Sequence, residues 1–176
     1  MKARNMALCA LFAALLTLCA WISIPGGDVA FTLQTLAVAL TLGLLGGKRG
    51  SLSILVYLLL GAVGLPVFSG FQGGLGILLG ATGGYIWGFL LWGLLYWLLT
   101  ALLPNTDLFR LLAMVAGLFL CYGAGSVWFW QMYLQSGSTL SIGLVLLKCV
   151  VPYLIPDTIK LAAAWFLTVR LKRFVY

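Results

Sequence analysis

Asp157 and Lys160 are the side chains in this sequence best suited to chemistry. Asp157 is one of three carboxylates in 176 residues, and Lys160 follows three positions later inside an otherwise apolar stretch. Ionisable groups at membrane depth are costly, so by default they mark a binding or transport site and have a partner. A carboxylate can accept N–H bonds from a ligand, and an ammonium can hold its acid group. The same inventory is poor for catalysis. There is no His or Glu, no pair of carboxylates and no nucleophile beside a base, so an enzyme is not expected. Cys9, Cys19, Cys121 and Cys149 lack CxxC spacing and have no His to complete a metal site, so no metal or cofactor is expected. They read as small apolar packing residues. The bland alternative for Asp157 and Lys160 is an internal ion pair that ties the last helix to its neighbours.

The pair carries this meaning only in a membrane, and the composition points there. Hydrophobic residues make up 64% of the chain, charged residues 7%, and mean hydropathy is +1.16. Residues 50–106 form 57 consecutive positions without Asp, Glu, Lys or Arg. A water-soluble domain of this size cannot cover itself with so few polar groups. The fold class expected is all-α, an integral membrane bundle in one domain over 1–176. Six spans are expected at about 6–24, 33–47, 51–65, 85–103, 109–134 and 155–171. Lys48-Arg49, flanked by Gly46, Gly47 and Gly50, cuts the second and third into a hairpin. No run shows the alternation of barrel strands.

Lys and Arg accumulate at cytoplasmic ends. With both termini cytoplasmic, Lys2, Arg4, Lys48, Arg49, Arg110, Arg170, Lys172 and Arg173 share that side. Lys148 and Lys160 fall with Asp157 at the outer end of the last span. The net charge of +7 therefore reads as membrane orientation, not as a nucleic-acid footprint. Leu16-Thr17-Leu18-Cys19 faintly echoes a lipoprotein cleavage site, but Leu18 is bulky where a small residue is required, so the first helix is expected to be retained.

From Pro66 to Gly84 the chain has seven glycines in nineteen residues and no charge, with Ser69, Gln72 and Thr82 supplying polarity. A flexible connection is one reading. Phe68, Phe71 and Tyr85 interleave apolar surface with the glycines, as a closing lid needs, and glycine lets a main chain approach a ligand closely. Gly47-Lys48 is no phosphate loop, since Arg49 follows where Ser or Thr is required. Small residues four apart, at Ala3/Ala7, Ala10/Ala14, Gly43/Gly47 and Gly80/Gly84/Gly88, allow close helix packing in lipid. Pro156 fits the first turn of the last helix, which would put Asp157 in that turn too. With Pro152 it brackets a break at the helix entry, and broken helices at membrane depth line cavities.

Several ordered stretches resemble one family. They are Phe31-Thr32-Leu33-Gln34-Thr35, Leu44-Leu45-Gly46-Gly47-Lys48-Arg49-Gly50 and Gly61-Ala62-Val63-Gly64-Leu65-Pro66-Val67-Phe68. Gly73-Gly74-Leu75-Gly76, Gly80-Ala81-Thr82-Gly83-Gly84-Tyr85 and Pro156-Asp157-Thr158-Ile159-Lys160 continue the series. The chain resembles the BioY family, the biotin-specific substrate-binding (S) components of energy-coupling factor transporters, over nearly its whole length. Two positions depart from the family pattern: Ala81 stands where Pro is usual, and Pro156 where Gly is common.

The resemblance implies six helices with biotin near the outer face, enclosed by the loops after helices one and three. It carries a substrate role to Asp157 and Lys160, and the substrate-binding set expected around them is Gln34, Gln72, Gly74, Thr82 and Tyr85. It implies partners: a transmembrane coupling subunit, docked through alanines of helix one for which Ala10 and Ala14 are the candidates, and two cytoplasmic ATPase subunits. The location implied is a prokaryotic plasma membrane, spanned several times in contact with lipid, with no nucleic acid involved. An S component for another vitamin, or a membrane scaffold without ligand, remains open at this point.

Overall fold

The computed structural model describes residues 3–24, 29–104, 106–137 and 139–175, with side chains as far as Lys172. Lys2 and the side chain of Arg173, both used in the charge argument, lie outside the described residues. In hydrocarbon the backbone must close its hydrogen bonds locally. The chain accordingly forms helices α1 (Ala3–Trp21), α2 (Gln34–Ala62), α3 (Leu75–Leu78), α4 (Gly83–Leu102), α5 (Asp107–Gln135), α6 (Ile142–Cys149) and α7 (Val151–Val175). A short antiparallel pairing, β1 (Ser23–Ile24) with β2 (Phe31–Thr32), follows α1. Among the described residues α1, α2, α4 and α5 are long and apolar enough to cross a membrane, and α6 with α7 makes a fifth candidate bent by 43°.

The expected second and third spans fall within α2, which breaks at Gly46 (φ 75°, ψ 171°). Twenty-three residues of straight helix would extend about 35 Å. Yet the Gln34 Nε2 donates to the Tyr57 hydroxyl at 2.8 Å, across those 23 positions. A Cβ on Gly50 would lie 3.2 Å from the Leu42 Cα. The two limbs therefore fold back on one another at Gly46, two residues before the cationic pair. The conformation is one that glycine adopts and side-chain-bearing residues resist.

Two other expectations are corrected. The last helix begins at Val151, not 155, so Pro156 lies inside it and Asp157 is beyond the first turn. Pro152 takes the first-turn position, where its missing N–H costs nothing, and the Tyr153 N–H closes that turn on the Val150 carbonyl at 2.9 Å. The break at the helix entry is therefore at Val150, between α6 and α7. Lys148 lies in the last turn of α6 and is exposed. The helix α6 itself lies where a connection was expected, and the Ser141 hydroxyl caps it by accepting from the Leu144 N–H.

Packing uses glycines against large rings. A Cβ on Gly47 would strike Trp97, one on Gly84 would strike Trp128, one on Gly117 Trp92, and one on Gly125 Tyr85. Gly43 lies against Thr168 of α7 and Gly88 against Cys121 of α5. The glycine spacings therefore serve contacts within the bundle, as helices in lipid require. Ala3, Ala7, Ala10 and Ala14 instead share an exposed face of α1. All four cysteines are buried and none is in a disulfide, though Cys121 and Cys149 also line the main cavity.

One face of α7 turns inward throughout: Asp157, Leu161, Ala164 and Thr168, at helical spacing, are all buried. At the other end of the bundle Arg49 of α2 donates to Asn5 of α1, and Gly43, Arg110 and Lys172 border one small cavity. Substituting Gly46 by Ala should lower stability by about 1–3 kcal/mol, the cost of that backbone conformation. Gly76→Ala, where an added Cβ meets nothing, should cost nothing. Thermal unfolding in detergent distinguishes them; equal midpoints would refute the role given to Gly46.

Candidate functional site

Asp157 projects from α7 into the bundle with 3% of its surface exposed, and Lys160 with 7%. A buried charge persists only if its polar atoms are answered. The Asp157 Oδ1 accepts from Lys160 Nζ at 2.7 Å and from the Thr35 hydroxyl of α2 at 2.9 Å. Its Oδ2 accepts from the Tyr122 hydroxyl of α5 at 2.6 Å. Lys160 Nζ donates a second bond to the Thr32 carbonyl of β2 at 2.7 Å and sits 4.0 Å from the centre of the Phe31 ring. Phe31 stacks in turn on Tyr153 at 6.0 Å, and the Tyr153 hydroxyl donates to the Val29 carbonyl. The internal ion pair and the cavity site, opposed as alternatives in the sequence, are thus both present: the pair forms, and it forms in the wall of a chamber.

That chamber holds about 440 Å³, within the range of small-molecule sites. Asp157, Lys160, Tyr85, Gln72, Thr82 and Gln34 all border it. Gly74 does not: its backbone (φ 96°) precedes α3 and its N–H donates to the Gly61 carbonyl at 2.7 Å, which fixes the segment to α2. Gln34 is held by Tyr57 and by Thr32, whose hydroxyl donates to the Gln34 Oε1 at 3.0 Å. The Tyr85 hydroxyl lies 3.1 Å from that of Ser126. Phe68, Ile86 and Phe89 give the chamber apolar walls. Thr35, Tyr122 and Tyr153 are the residues that sequence reasoning missed. Thr35 closes the first motif quoted above, a signal that was available; Tyr122 and Tyr153 carry none.

The glycine-rich segment is an ordered cap, not a slack connection. Three indole N–H groups from three helices hold its carbonyls: Trp21 bonds Pro66 at 2.8 Å, Trp87 bonds Leu78 at 3.2 Å, and Trp128 bonds Gly80 at 3.0 Å. Phe68 is buried in the chamber wall, whereas Phe71 is exposed and packs on Trp21 at 4.9 Å between ring centres.

A carboxylate has about four acceptor positions and a lysine three donors. Three of the first and two of the second are used inside the protein. One acceptor on Oδ2 and one N–H of Lys160 are left for a guest. Such an arrangement can bind and orient a small polar guest.

Comparison with known proteins agrees with this geometry. The BioY family model matches residues 1–176. The chain belongs to the BioY family. The biotin transporter BioY of Thermotoga maritima is 40% identical over 171 residues, covering 97% of this chain and 96% of that one. A probable biotin transporter BioY of Pyrococcus horikoshii is 38% identical over 172 residues, covering 98% of each. Among solved structures, the S component for biotin from an ECF-type ABC transporter superposes with a TM-score of 0.85 at 25% identity, over 98% of this chain and 92% of that one. The family is one of transporter components, and this member is no enzyme.

Lys160→Met strands the Asp157 carboxylate without its countercharge and should destabilise the fold by about 3–5 kcal/mol. The double variant Asp157→Asn with Lys160→Met should recover much of that loss. Unfolding midpoints of the two single variants and the double one make the measurement; losses that simply add would mean that the two side chains do not act as a pair.

Proposed function

We propose that this protein captures biotin and takes it up across a prokaryotic plasma membrane, as the S component of an energy-coupling factor transporter. The observation that carries the reading is the chamber of about 440 Å³ bordered by the buried Asp157 and Lys160, in a chain that the BioY family matches throughout. The two polar positions left open on the pair suit biotin. A ureido N–H can donate to the Asp157 Oδ2, and a carbonyl or carboxylate oxygen can accept from Lys160. Phe68, Ile86 and Phe89 receive the apolar part, with Gln34, Gln72, Thr82 and Tyr85 as further polar contacts.

The topology that accompanies this reading is a single domain of six crossings: α1, the two limbs of α2, α4, α5 and α7. Both termini are cytoplasmic. Support comes from the shared end at which Arg49, Arg110 and Lys172 gather, opposite the chamber, as cations gather in cytoplasmic loops. Uphill uptake needs energy, and the sequence carries no nucleotide-binding motif through which to supply it. A transmembrane coupling subunit and two cytoplasmic ATPase subunits provide it, and the exposed Ala10 and Ala14 of α1 form the docking face.

Biotin should raise the unfolding temperature of the purified protein, and riboflavin or thiamine should not. Asp157→Asn and Lys160→Gln should each weaken biotin binding about tenfold or more, equal to about 1.4 kcal/mol, measured by calorimetry on the folded fraction. Parent-like affinity in both variants would defeat the site assignment. If no small molecule co-purifies and biotin leaves the unfolding midpoint unmoved, a ligand-free scaffold is the better reading. Replacing Ala10 and Ala14 by Trp should abolish co-purification with the coupling subunit while sparing biotin binding; retained assembly would move the docking face elsewhere.

A further inference from the structure

A second cavity, of about 150 Å³, lies among Gly43 of α2, Tyr96 of α4, Arg110 of α5 and Trp165, Thr168 and Lys172 of α7. It is remote from the chamber, since Lys172 follows Lys160 by twelve residues of helix, about 18 Å. Its volume is below that of small-molecule sites, which start near 300 Å³, yet corresponds to about five waters. Its charge is cationic on balance. Arg110 and Lys172 border it with one carboxylate, Asp107, which is 72% exposed and 3.9 Å from the Arg110 guanidinium. An ion pair that long and that wet contributes little to stability, but the negative charge of Asp107 still opposes an incoming anion.

We propose that this cavity seats the phosphodiester of an anionic membrane lipid. Arg and Lys together suit phosphate oxygens, and basic pockets between membrane helices hold lipid head groups. Tyr96 and Trp165 supply the amphipathic rings favoured at the level of the head groups. The choice of a lipid over free phosphate rests on the neighbouring surface. Leu108 and Leu112 of α5, and Phe166 and Val169 of α7, are large apolar side chains more than half exposed. Leu108 and Leu112 flank Arg110 in sequence, Phe166 and Val169 lie within two turns before Lys172, and Val169 itself borders the cavity, so acyl chains have an apolar surface beside it. Because α7 carries both this cavity and the Asp157–Lys160 pair, a seated lipid would brace the helix at the end away from the chamber.

The test uses the full chain in detergent, with added phosphatidylglycerol or phosphatidylcholine and native mass spectrometry of what stays bound. The expected result is retention of one phosphatidylglycerol, with about tenfold preference over phosphatidylcholine. Arg110→Gln and Lys172→Gln should each lose that preference, and Asp107→Asn should strengthen it by removing the competing carboxylate. Equal retention of the two lipids, or a preference unchanged in both cation variants, overturns the proposal. So does inorganic phosphate that displaces the lipid at matched concentration, since the site would then serve the free anion. Biotin binding reports folding in each variant. Should either cation variant fail to fold, Asp107→Asn decides: a weaker or unchanged preference there also overturns it.

Discussion

One carboxylate, buried and shared by several elements, sets the geometry of the chamber. Asp157 belongs to α7 but takes donors from Thr35 of α2 and Tyr122 of α5 as well as from Lys160. Removing such a group from water costs several kcal/mol, and only well-placed donors offset that cost. The three helices must therefore meet at one point to within hydrogen-bonding distance. Lys160 extends the constraint to the connection after α1, because its second bond is to the Thr32 carbonyl. The loop that closes one side of the chamber is thus tied to the same charge pair that borders it. Tyr153, from the first turn of α7, repeats the tie through the Val29 carbonyl.

The other side is closed by a different device. A glycine-rich segment offers many carbonyls and few side chains, and in an apolar setting each carbonyl needs a donor. The indoles of Trp21, Trp87 and Trp128 supply three of them from α1, α4 and α5. Trp suits this role because it brings one donor on a large apolar body. Glycine is required where backbones nearly touch: a Cβ on Gly73 would lie 2.2 Å from the Leu65 carbonyl oxygen, and one on Gly83 2.0 Å from that of Leu78. Composition that looks like slack in the sequence is, in the fold, the consequence of close approach.

The same contrast governs what was legible beforehand. The helices α1, α4 and α5 were placed to within about three residues, because length and hydropathy are enough when every backbone bond is local. The hairpin at Gly46 was legible from glycines around a cationic pair. The short α6 was not, since eight residues carry no spanning signal, and Pro156 misplaced the start of α7 because a proline reads as a helix beginning even where an earlier one takes that position. In the site, Asp157 and Lys160 stood out through the rarity of charge. Thr35, Tyr122 and Tyr153 did not, because a hydroxyl in an apolar helix is ordinary until the packing shows what it faces. Gly74, chosen from the same glycine-rich motif as Gln72, turned out to shape the cap from outside the chamber wall.

The pair's internal bonds also bear on selectivity. A loosely held Asp and Lys would have to be ordered and desolvated by each ligand, which lowers affinity. Here folding has already done both, so a guest bound as proposed would meet one acceptor and one donor position at fixed places. Such a site discriminates more by polar pattern than by size. A ligand that lacks the matching N–H or oxygen leaves a buried charge partly unanswered, a far larger loss than one missing methylene. The apolar walls can accept many shapes within 440 Å³; the charge pair cannot accept many patterns. On the proposed reading, specificity of this kind resides in Thr35 and Tyr122 as much as in Asp157, since they use up the acceptors that a differently patterned ligand would need.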